Sequence, residues 1–371
     1  MRRPLLPSHY SVWFAPPDAN GDELLHVVSE RRSITLKGYA FREFCELVVP
    51  LLDGSRGFDE IAAETADVFE ARDLEAMLSL LASHGVVVEA PDDGLASDAA
   101  DRMTPQRNLF AEIAPGESLQ RRLGAATVSI VGLGGAGPAA ALGLAAAGVG
   151  TLRCGDPLPV APPDVYFSPF LGLEAVGSSR AQRVTELVRT AAREVKVIAA
   201  ECPLDTEDDV RQLVAGSDYV VSCLDASQSN LAFKINKVCL ADKVRWISCA
   251  LAGAEVVVGP AVHPGQSACY MCYRMRSVAS AGNPEHAYAY ERELDRRRRD
   301  DGGRRENLVF SAGIAGNLVA SEVVKELSGL AAPSLVGRIL IVRLTDLHVE
   351  RHAVLRKPGC PVCFPTSGQG R

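Results

Sequence analysis

Two groups of residues in this chain have types and spacings that could do chemistry. The first is a glycine-rich turn, Gly132, Gly134, Gly135 and Gly137, which follows an apolar run and leads into an alanine-rich segment. Glycine lets the backbone approach a phosphate closely, and a helix that starts there offers free N–H groups and a positive dipole end. Asp156, about twenty residues further on, is placed to hold ribose hydroxyls. The pattern predicts a nucleotide-binding turn, or a Rossmann turn that no longer binds a nucleotide.

The second group consists of two Cys-x-x-Cys pairs, Cys269 with Cys272 and Cys360 with Cys363. Each pair places two thiolates on one side of a tight turn, and two pairs complete a tetrahedron. Because a closed shell of four thiolates has no open position, we expect a structural Zn²⁺ there. The alternative is chance pairing of buried cysteines. The other six cysteines stand singly, mostly in apolar runs, and are interpreted as small core hydrophobes.

The elements that must position these groups alternate along the chain from Asp101 onward. Strand patterns at Thr127–Val131 and Tyr219–Cys223 are interleaved with helical patterns at Pro138–Ala147 and Gln182–Glu194. Alternating strands and helices predict a doubly wound, Rossmann-like α/β sheet. We therefore assign residues 101–371 to one α/β domain.

The first ninety residues have a different pattern. Three short strand-like runs are followed by three helical stretches, and this order resembles a winged helix-turn-helix. Residues 91–100 are small and acidic, which is typical of a linker. We predict an α+β domain over residues 1–90, separate from the α/β domain.

Composition excludes several classes of protein. The 371 residues carry 39 Lys and Arg against 46 Asp and Glu, a formal net charge of −7, which argues against a nucleic-acid-coating role. The third helical stretch, Asp73–His84, has acids and no Lys or Arg, so it is unsuited to reading phosphates. No apolar export or membrane-spanning segment is visible. We therefore expect a cytoplasmic protein that contacts neither nucleic acid nor membrane.

Four stretches together resemble the ThiF/MoeB family, adenylating enzymes related to ubiquitin-activating enzymes. These are Gly132–Gly137 with Asp156, Val176–Ala181, Asp218–Asp225 and the tail Ser311–Cys363. In the second stretch Arg180 stands where the family has lysine. The resemblance covers about residues 101–365.

The resemblance implies roles for several residues. The four glycines would cradle the phosphates of ATP, Asp156 would bind the ribose, and Arg180 would contact the triphosphate. Asp225 would hold Mg²⁺, a hard cation suited to oxygen ligands. Arg107 resembles an arginine that the family sends across a homodimer interface to the transferring phosphates. The alternative for Arg107 is a solvated helix charge.

The sequence also departs from the family. Where the family has Asn-x-x-Arg-Gln, this chain has Asp164, Phe167 and Ser168. The missing guanidinium removes positive charge where pyrophosphate would leave. No cysteine lies between Tyr273 and Gly359, which disfavours a thioester-forming activator of sulfur carriers. The retained glycine turn, with Asp156, Arg180 and Asp225, favours ATP-dependent adenylation of a bound substrate. The lost Asn-x-x-Arg-Gln favours the alternative, a catalytically degenerate scaffold.

In residues 10–90 the strand patterns are followed by Leu-x-Gly before a helix, then Leu-Leu-Asp-Gly, then Phe-Asp-Glu-Ile. This order resembles the peptide-recognition element of proteins that make ribosomally synthesised, modified peptides (RiPPs). Extended peptides can add to an exposed strand edge, here Ser33, Ile34, Thr35 and Leu36, beside an apolar helix face that includes Met77 and Leu81. Joined to a ThiF-like domain, this resembles leader-peptide-binding proteins that partner a YcaO cyclodehydratase, and peptide-adenylating enzymes of the microcin type. The alternative for this domain is a dimerisation appendage.

One charged segment, Glu291–Glu306, has no assigned chemistry. It mixes arginines with acids around Gly302-Gly303. It is interpreted as a solvated loop, with a lid over a peptide or nucleotide as the alternative.

Overall fold

The computed structural model describes residues 2–17, 22–90, 102–114, 119–224, 228–297 and 307–364. Within it the chain divides into two compact units, Met1–Leu119 and Gln120–Arg371. The linker expected at residues 91–100 and the 298–306 part of the charged segment lie outside the described residues.

The first unit contains a three-stranded antiparallel sheet in the order β2–β3–β4 and a two-stranded sheet of β1 with β5. Its strands are β1 (Pro4–Leu5), β2 (Ser11–Ala15), β3 (Glu23–Val28), β4 (Ser33–Gly38) and β5 (Val88–Glu89). Its helices are α1 (Phe41–Glu43, continued by a π-helical turn Phe44–Val48 and a 3₁₀ turn Val49–Leu51), α2 (Phe58–Glu64), α3 (Ala71–Ser83) and α4 (Thr104–Ile113). The compact unit thus continues past residue 100 to include α4.

The core of this unit explains why its elements form. Leu25 and Val27 alternate along β3 and are completely buried. Leu74, Leu78 and Leu81 recur at helical spacing on α3 and pack into the same core. The sheet therefore buries one face against the helices and leaves the other face exposed.

The second unit is built on an eight-stranded sheet in the order β13–β12–β11–β10–β9–β6–β7–β8. Strands β10, β9, β6, β7 and β8 are parallel neighbours, and β11, β12 and β13 continue the sheet antiparallel. The strands are β6 (Thr127–Val131), β7 (Thr151–Gly155), β8 (Lys196–Ala200), β9 (Tyr219–Ser222), β10 (Arg245–Ala252), β11 (Glu255–Val262), β12 (Arg338–Arg343) and β13 (His348–Ala353). The helices are α5 (Leu119–Ala125), α6 (Gly137–Ala146), α7 (Pro162–Phe167, with 3₁₀ turns Pro169–Leu171 and Leu173–Ala175), α8 (Arg180–Ala191), α9 (Glu207–Val214), α10 (Ser229–Ala241), α11 (Tyr270–Ala279), α12 (Pro284–Arg297) and α13 (Ser311–Ser328).

This architecture confirms the Rossmann-like α/β prediction. Four of the five residues of β6 are buried, as expected for a central parallel strand covered on both faces. Helix α13 packs closely on α6 at Gly316, where an added Cβ would lie 2.7 Å from the Ala139 side chain. Among the described helices, none combines the length and apolar character needed to cross a bilayer.

Candidate functional site

The glycine turn joins the end of β6 to the start of α6, at the carboxyl edge of the parallel strands. Gly132 has a positive φ of 91°, and its N–H donates to the Gly155 carbonyl oxygen at 3.0 Å. A Cβ at Gly132 would lie 2.6 Å from the Cys223 carbonyl oxygen, so only glycine fits there. The turn thus has the shape of a phosphate-binding turn at a helix N-terminus.

The space directly over this turn is taken by the side chain of Arg180. A Cβ at Gly134 would lie only 2.5 Å from the Arg180 Cζ. The guanidinium is held by two carboxylates: Nε donates to Asp164 Oδ2 at 2.7 Å, and Nη1 donates to Asp156 Oδ2 at 3.3 Å. The side chains of both aspartates are completely buried, and that of Arg180 is 3% exposed. Two of the predicted site residues, Asp156 and Arg180, therefore lie together, but they bind each other.

Both carboxylates are further tied to the backbone. The Asp156 oxygens accept the N–H groups of Leu133 at 2.7 Å and Leu158 at 2.9 Å. Asp164 accepts the N–H of Ala161 at 2.8 Å, at the start of α7. Hydrogen bonds to the charged form hold each carboxylate in place, so the triad is a rigid part of the fold.

The formal charge of this triad is −1, because one guanidinium faces two carboxylates. A triphosphate is itself strongly anionic, and it needs positive groups that are not already neutralised. The family position that carries an arginine is Phe167, which is 3% exposed and packed in the interior. Ser168, at the family's glutamine position, donates its hydroxyl to the Gly135 carbonyl oxygen at 2.9 Å. The turn is retained, but Phe167 stands at the family's arginine position and the guanidinium of Arg180 is paired with two carboxylates.

Two other predicted residues are placed differently. Arg107 lies on α4 in the first compact unit, where its Nη2 donates to Thr104 Oγ1 at 3.4 Å. The four glycines lie in the second compact unit, so Arg107 and the glycine turn belong to different units of the chain. Asp225, the predicted Mg²⁺ ligand, lies outside the described residues.

The two cysteine pairs converge as predicted. The four Sγ atoms of Cys269, Cys272, Cys360 and Cys363 lie within 4.8 Å of one another, in a group that could hold a metal ion. The separations are 3.9 Å for Cys269–Cys272, 3.8 Å for Cys269–Cys360 and 3.5 Å for Cys272–Cys363. A tetrahedron with Zn–S bonds of about 2.3 Å has sulfur atoms about 3.8 Å apart, so the group fits zinc.

The thiols of this group differ in acidity. Burial raises the pKa of Cys269 and raises that of Cys363 to about 11. At Cys360 burial acts in the same direction, but the N–H groups of Cys363 and Val362 outweigh it and the pKa falls to about 7. Among these three thiols the pKa of Cys360 is the lowest, and a metal ion must displace the protons that the cysteines still carry.

The predicted peptide surface lies on β4, an edge strand of its sheet. The Ser29 N–H donates to the Arg32 carbonyl oxygen at 2.8 Å. Together with the pairing register, this bond determines which residues of β4 direct their backbone groups toward β3 and which direct them away. Ile34 and Leu36 therefore bond to β3, while Ser33, Thr35 and Lys37 direct their backbone N–H and C=O groups away from it. In the part of the chain that is described, no strand pairs with this side of β4.

Apolar side chains flank this open edge. Ile34, Leu36 and Met77 are partly exposed and pack on the core of the first unit, to which the buried Leu81 also belongs. Arg32 Nη1 donates to the His84 carbonyl oxygen at 2.8 Å and so ties the start of β4 to the end of α3. All six residues predicted to bind peptide thus lie on β4 or on the neighbouring part of this core.

Sequence reasoning missed the partnership of Asp164 with Arg180. The only signal was the aspartate itself, which stands where the family has asparagine. Its meaning depends on the turn that brings residues 164 and 180 together, and spacing alone does not reveal that contact.

A glycine turn after a buried parallel strand, in the same compact unit as four cysteines that could hold a metal ion, defines a Rossmann-like domain of the nucleotide-binding type. Residues 105–362 match the ThiF family, and the chain therefore belongs to the ThiF family. It is similar to Protein HesA of Leptolyngbya boryana (27% identical over 254 residues, 67% of this chain and 80% of the relative). It is also similar to the sulfur carrier protein ThiS adenylyltransferase of Escherichia coli strain K12 (27% identical over 246 residues, 66% of this chain and 88% of the relative).

Solved structures extend the similarity over nearly the whole chain. Escherichia coli MccB with ATP has a TM-score of 0.65 and 17% identity, covering 97% of this chain and 99% of MccB. The microcin C7 biosynthetic enzyme MccB in complex with N-formylated MccA gives a TM-score of 0.65 at 16% identity, with the same coverage. PaaA gives a TM-score of 0.63 at 21% identity over 80% of this chain and 95% of PaaA. At these identities the likeness concerns the fold.

Proposed function

We propose that this chain binds the leader segment of a RiPP precursor peptide and presents the precursor to a separate ATP-dependent cyclodehydratase of the YcaO type. The observation that carries the proposal is the clamp of Asp156 and Asp164 on Arg180. It leaves the glycine turn with a net negative triad where a triphosphate would need cations. The ThiF fold is then a scaffold, and the zinc in its four-cysteine site stabilises that scaffold.

The open edge of β4 supports the peptide-binding half of the proposal. An added strand would bond to Ser33, Thr35 and Lys37, and its alternate side chains would contact Ile34 and Leu36. Backbone bonds supply affinity in this mode, and the apolar side chains supply specificity. MccB, which has the same fold as this chain, forms a complex with N-formylated MccA, and that complex is consistent with a peptide as the partner.

A second candidate is ATP-dependent adenylation of the bound peptide, with Asp225 holding Mg²⁺ and Arg107 of a second copy of the chain contacting the phosphates. The intact glycine turn favours it, because Gly132 and Gly134 keep the backbone free of side chains at the start of α6. This activity requires ATP to displace the carboxylates from Arg180, or to bind without that guanidinium.

Binding and exchange measured on the same protein distinguish the two functions. The ligand is a fluorescein-labelled peptide that copies the N-terminal segment encoded by any short reading frame found next to this chain's gene. We expect saturable binding by fluorescence anisotropy, and no leader-dependent exchange of pyrophosphate into ATP. Exchange that requires the precursor would establish the second candidate.

The edge strand is tested with a matched pair of variants. Thr35→Pro removes one outward N–H while leaving the ladder to β3 intact, because proline is tolerated on an edge with its nitrogen toward solvent. Thr35→Val keeps the amide and the branched shape. We expect Thr35→Pro to lose leader binding at least roughly tenfold, and Thr35→Val to bind normally. Equal binding by both variants would exclude β4 as the peptide-binding edge.

A further inference from the structure

The side chain of Arg32 lies at one end of the apolar surface beside β4. It precedes Ile34 by two residues, so it shares the face of Ile34 and Leu36 by the alternation of a strand. Its Nη1 donates to the His84 carbonyl oxygen at 2.8 Å, and its Nη2 donates to the Glu112 carbonyl oxygen at 3.1 Å. The guanidinium is therefore held in a fixed position at the end of this surface.

The contacts of Arg32 leave its charge unbalanced. Its hydrogen-bond acceptors are neutral oxygens, the carbonyl groups of His84 and Glu112. Glu112, whose carbonyl oxygen accepts from Arg32, directs its carboxylate to His9 at 3.0 Å. Within the described ranges, no carboxylate lies at ion-pair distance from Arg32. A guanidinium has five N–H donors, so hydrogens remain available for another acceptor.

We infer that Arg32 binds a carboxylate of the precursor peptide, at the position where the added strand passes the start of β4. This inference rests on the proposed function, because it requires a peptide strand on that edge. In antiparallel pairing, the more stable arrangement, peptide residues opposite Leu36, Ile34 and Arg32 share one face in that order. The leader segment recognised is therefore a five-residue pattern with apolar residues at the first and third positions, an acidic residue at the fifth, and any residue at the second and fourth.

Arg32 also has a structural role, since it holds the ends of α3 and α4. A loss of binding in Arg32→Met alone would not separate that role from direct contact with the peptide. A double-mutant cycle does, because a purely structural loss is the same for every peptide and cancels. The second change is therefore made in the labelled leader, with each Asp replaced by Asn or each Glu by Gln, one at a time.

We expect one acidic position in the leader, two residues after an apolar one, whose neutralisation weakens binding to the unmodified protein roughly tenfold. The same peptide change should alter binding to Arg32→Met by less than about twofold. Arg31→Met, in the adjacent exposed turn position, is the control and should keep the full tenfold effect. Suppose that the unmodified protein binds the leader, that the Thr35→Pro variant has lost this binding, and that no acidic position of the leader is coupled to Arg32. The inference is then wrong and the proposed function stands. If the leader does not bind the unmodified protein at all, the proposed function fails, and the inference with it.

Discussion

If the negative triad keeps nucleotide out, as the proposed function holds, replacing Asp164 with asparagine should allow the glycine turn to bind it. Asparagine keeps the shape and an oxygen that can accept the Ala161 N–H, which Asp164 bonds at 2.8 Å. The triad of Arg180, Asp156 and residue 164 then changes from a formal charge of −1 to zero. The fold should survive, because Arg180 keeps its buried partner Asp156.

The size of the effect follows from Coulomb's law. Asp164 lies 2.7 Å from the guanidinium, so a phosphate on the other side of Arg180 would be roughly 6–7 Å from the aspartate. At an effective dielectric constant of about 20, one charge pair at that distance contributes about 2.5 kcal/mol. Removing it should strengthen binding of Mg-ATP by roughly seventyfold.

Titration calorimetry with Mg-ATP provides the assay, with thermal unfolding to verify that each variant is folded. The control is Asp346→Asn, which removes the same charge from an exposed position between β12 and β13. We expect no measurable nucleotide binding by the unmodified protein or by the control, and saturable binding by Asp164→Asn. Tight Mg-ATP binding by the unmodified protein, or equal behaviour of the two variants, would refute the argument that charge closes this site.

Three further predictions concern the two compact units. Cys360→Ser should abolish stoichiometric zinc, measured by metal analysis of the purified chain, and lower the melting temperature; retention of one zinc per chain would contradict the four-thiolate site. Burial lowers the pKa of His9 below its ordinary 6.5 despite the neighbouring Glu112, so the folded state binds its proton less readily than the unfolded chain. The folded state is therefore not penalised by His9 above pH 6.5, and its free energy of unfolding decreases as the pH falls below 6.5, by at most about 1.4 kcal/mol per pH unit. His9→Gln should flatten this part of a plot of unfolding free energy against pH, and an unchanged slope would exclude His9 as its source. Gly316→Ala should cost about 1–3 kcal/mol in urea unfolding because its Cβ would collide with α6, whereas Gly313→Ala, with open space on the same helix, should be neutral or slightly stabilising; equal effects would show that the contact can relax.

Sequence reasoning was most successful where burial imposes a periodic pattern. The strand Thr127–Val131 was predicted with the bounds that the structure has, and the helix predicted at Pro138–Ala147 differs from α6 (Gly137–Ala146) by one residue at each end. The convergence of the four cysteines was also predicted correctly. It missed β13 (His348–Ala353), whose residues are nearly all exposed. A strand with both faces in water carries no alternation of apolar and polar residues, so its pairing with β12 cannot be read from the pattern.

The chemistry of the glycine turn was less predictable for a different reason. Motif matching identifies Asp156 and Arg180 as ligands of a nucleotide, and it assumes that their charges are available. Whether they are depends on a third residue, Asp164, and on the path of α7 that brings it to the guanidinium. Charge balance in a buried site is a property of three-dimensional neighbours, so it appears only once the fold is known.

The metal site has a consequence for how the chain is made. Cys269 and Cys360 are 91 positions apart, and the intervening chain contributes α11, α12, α13 and both strands of the last hairpin. During synthesis the first two thiols leave the ribosome long before the last two, so the ion cannot acquire its complete shell until nearly all of the second unit has emerged. If the four cysteines hold a metal ion, metal loading is therefore a late step of biogenesis that closes a long loop. Until then, packing alone must hold the helices that lie between the two cysteine pairs.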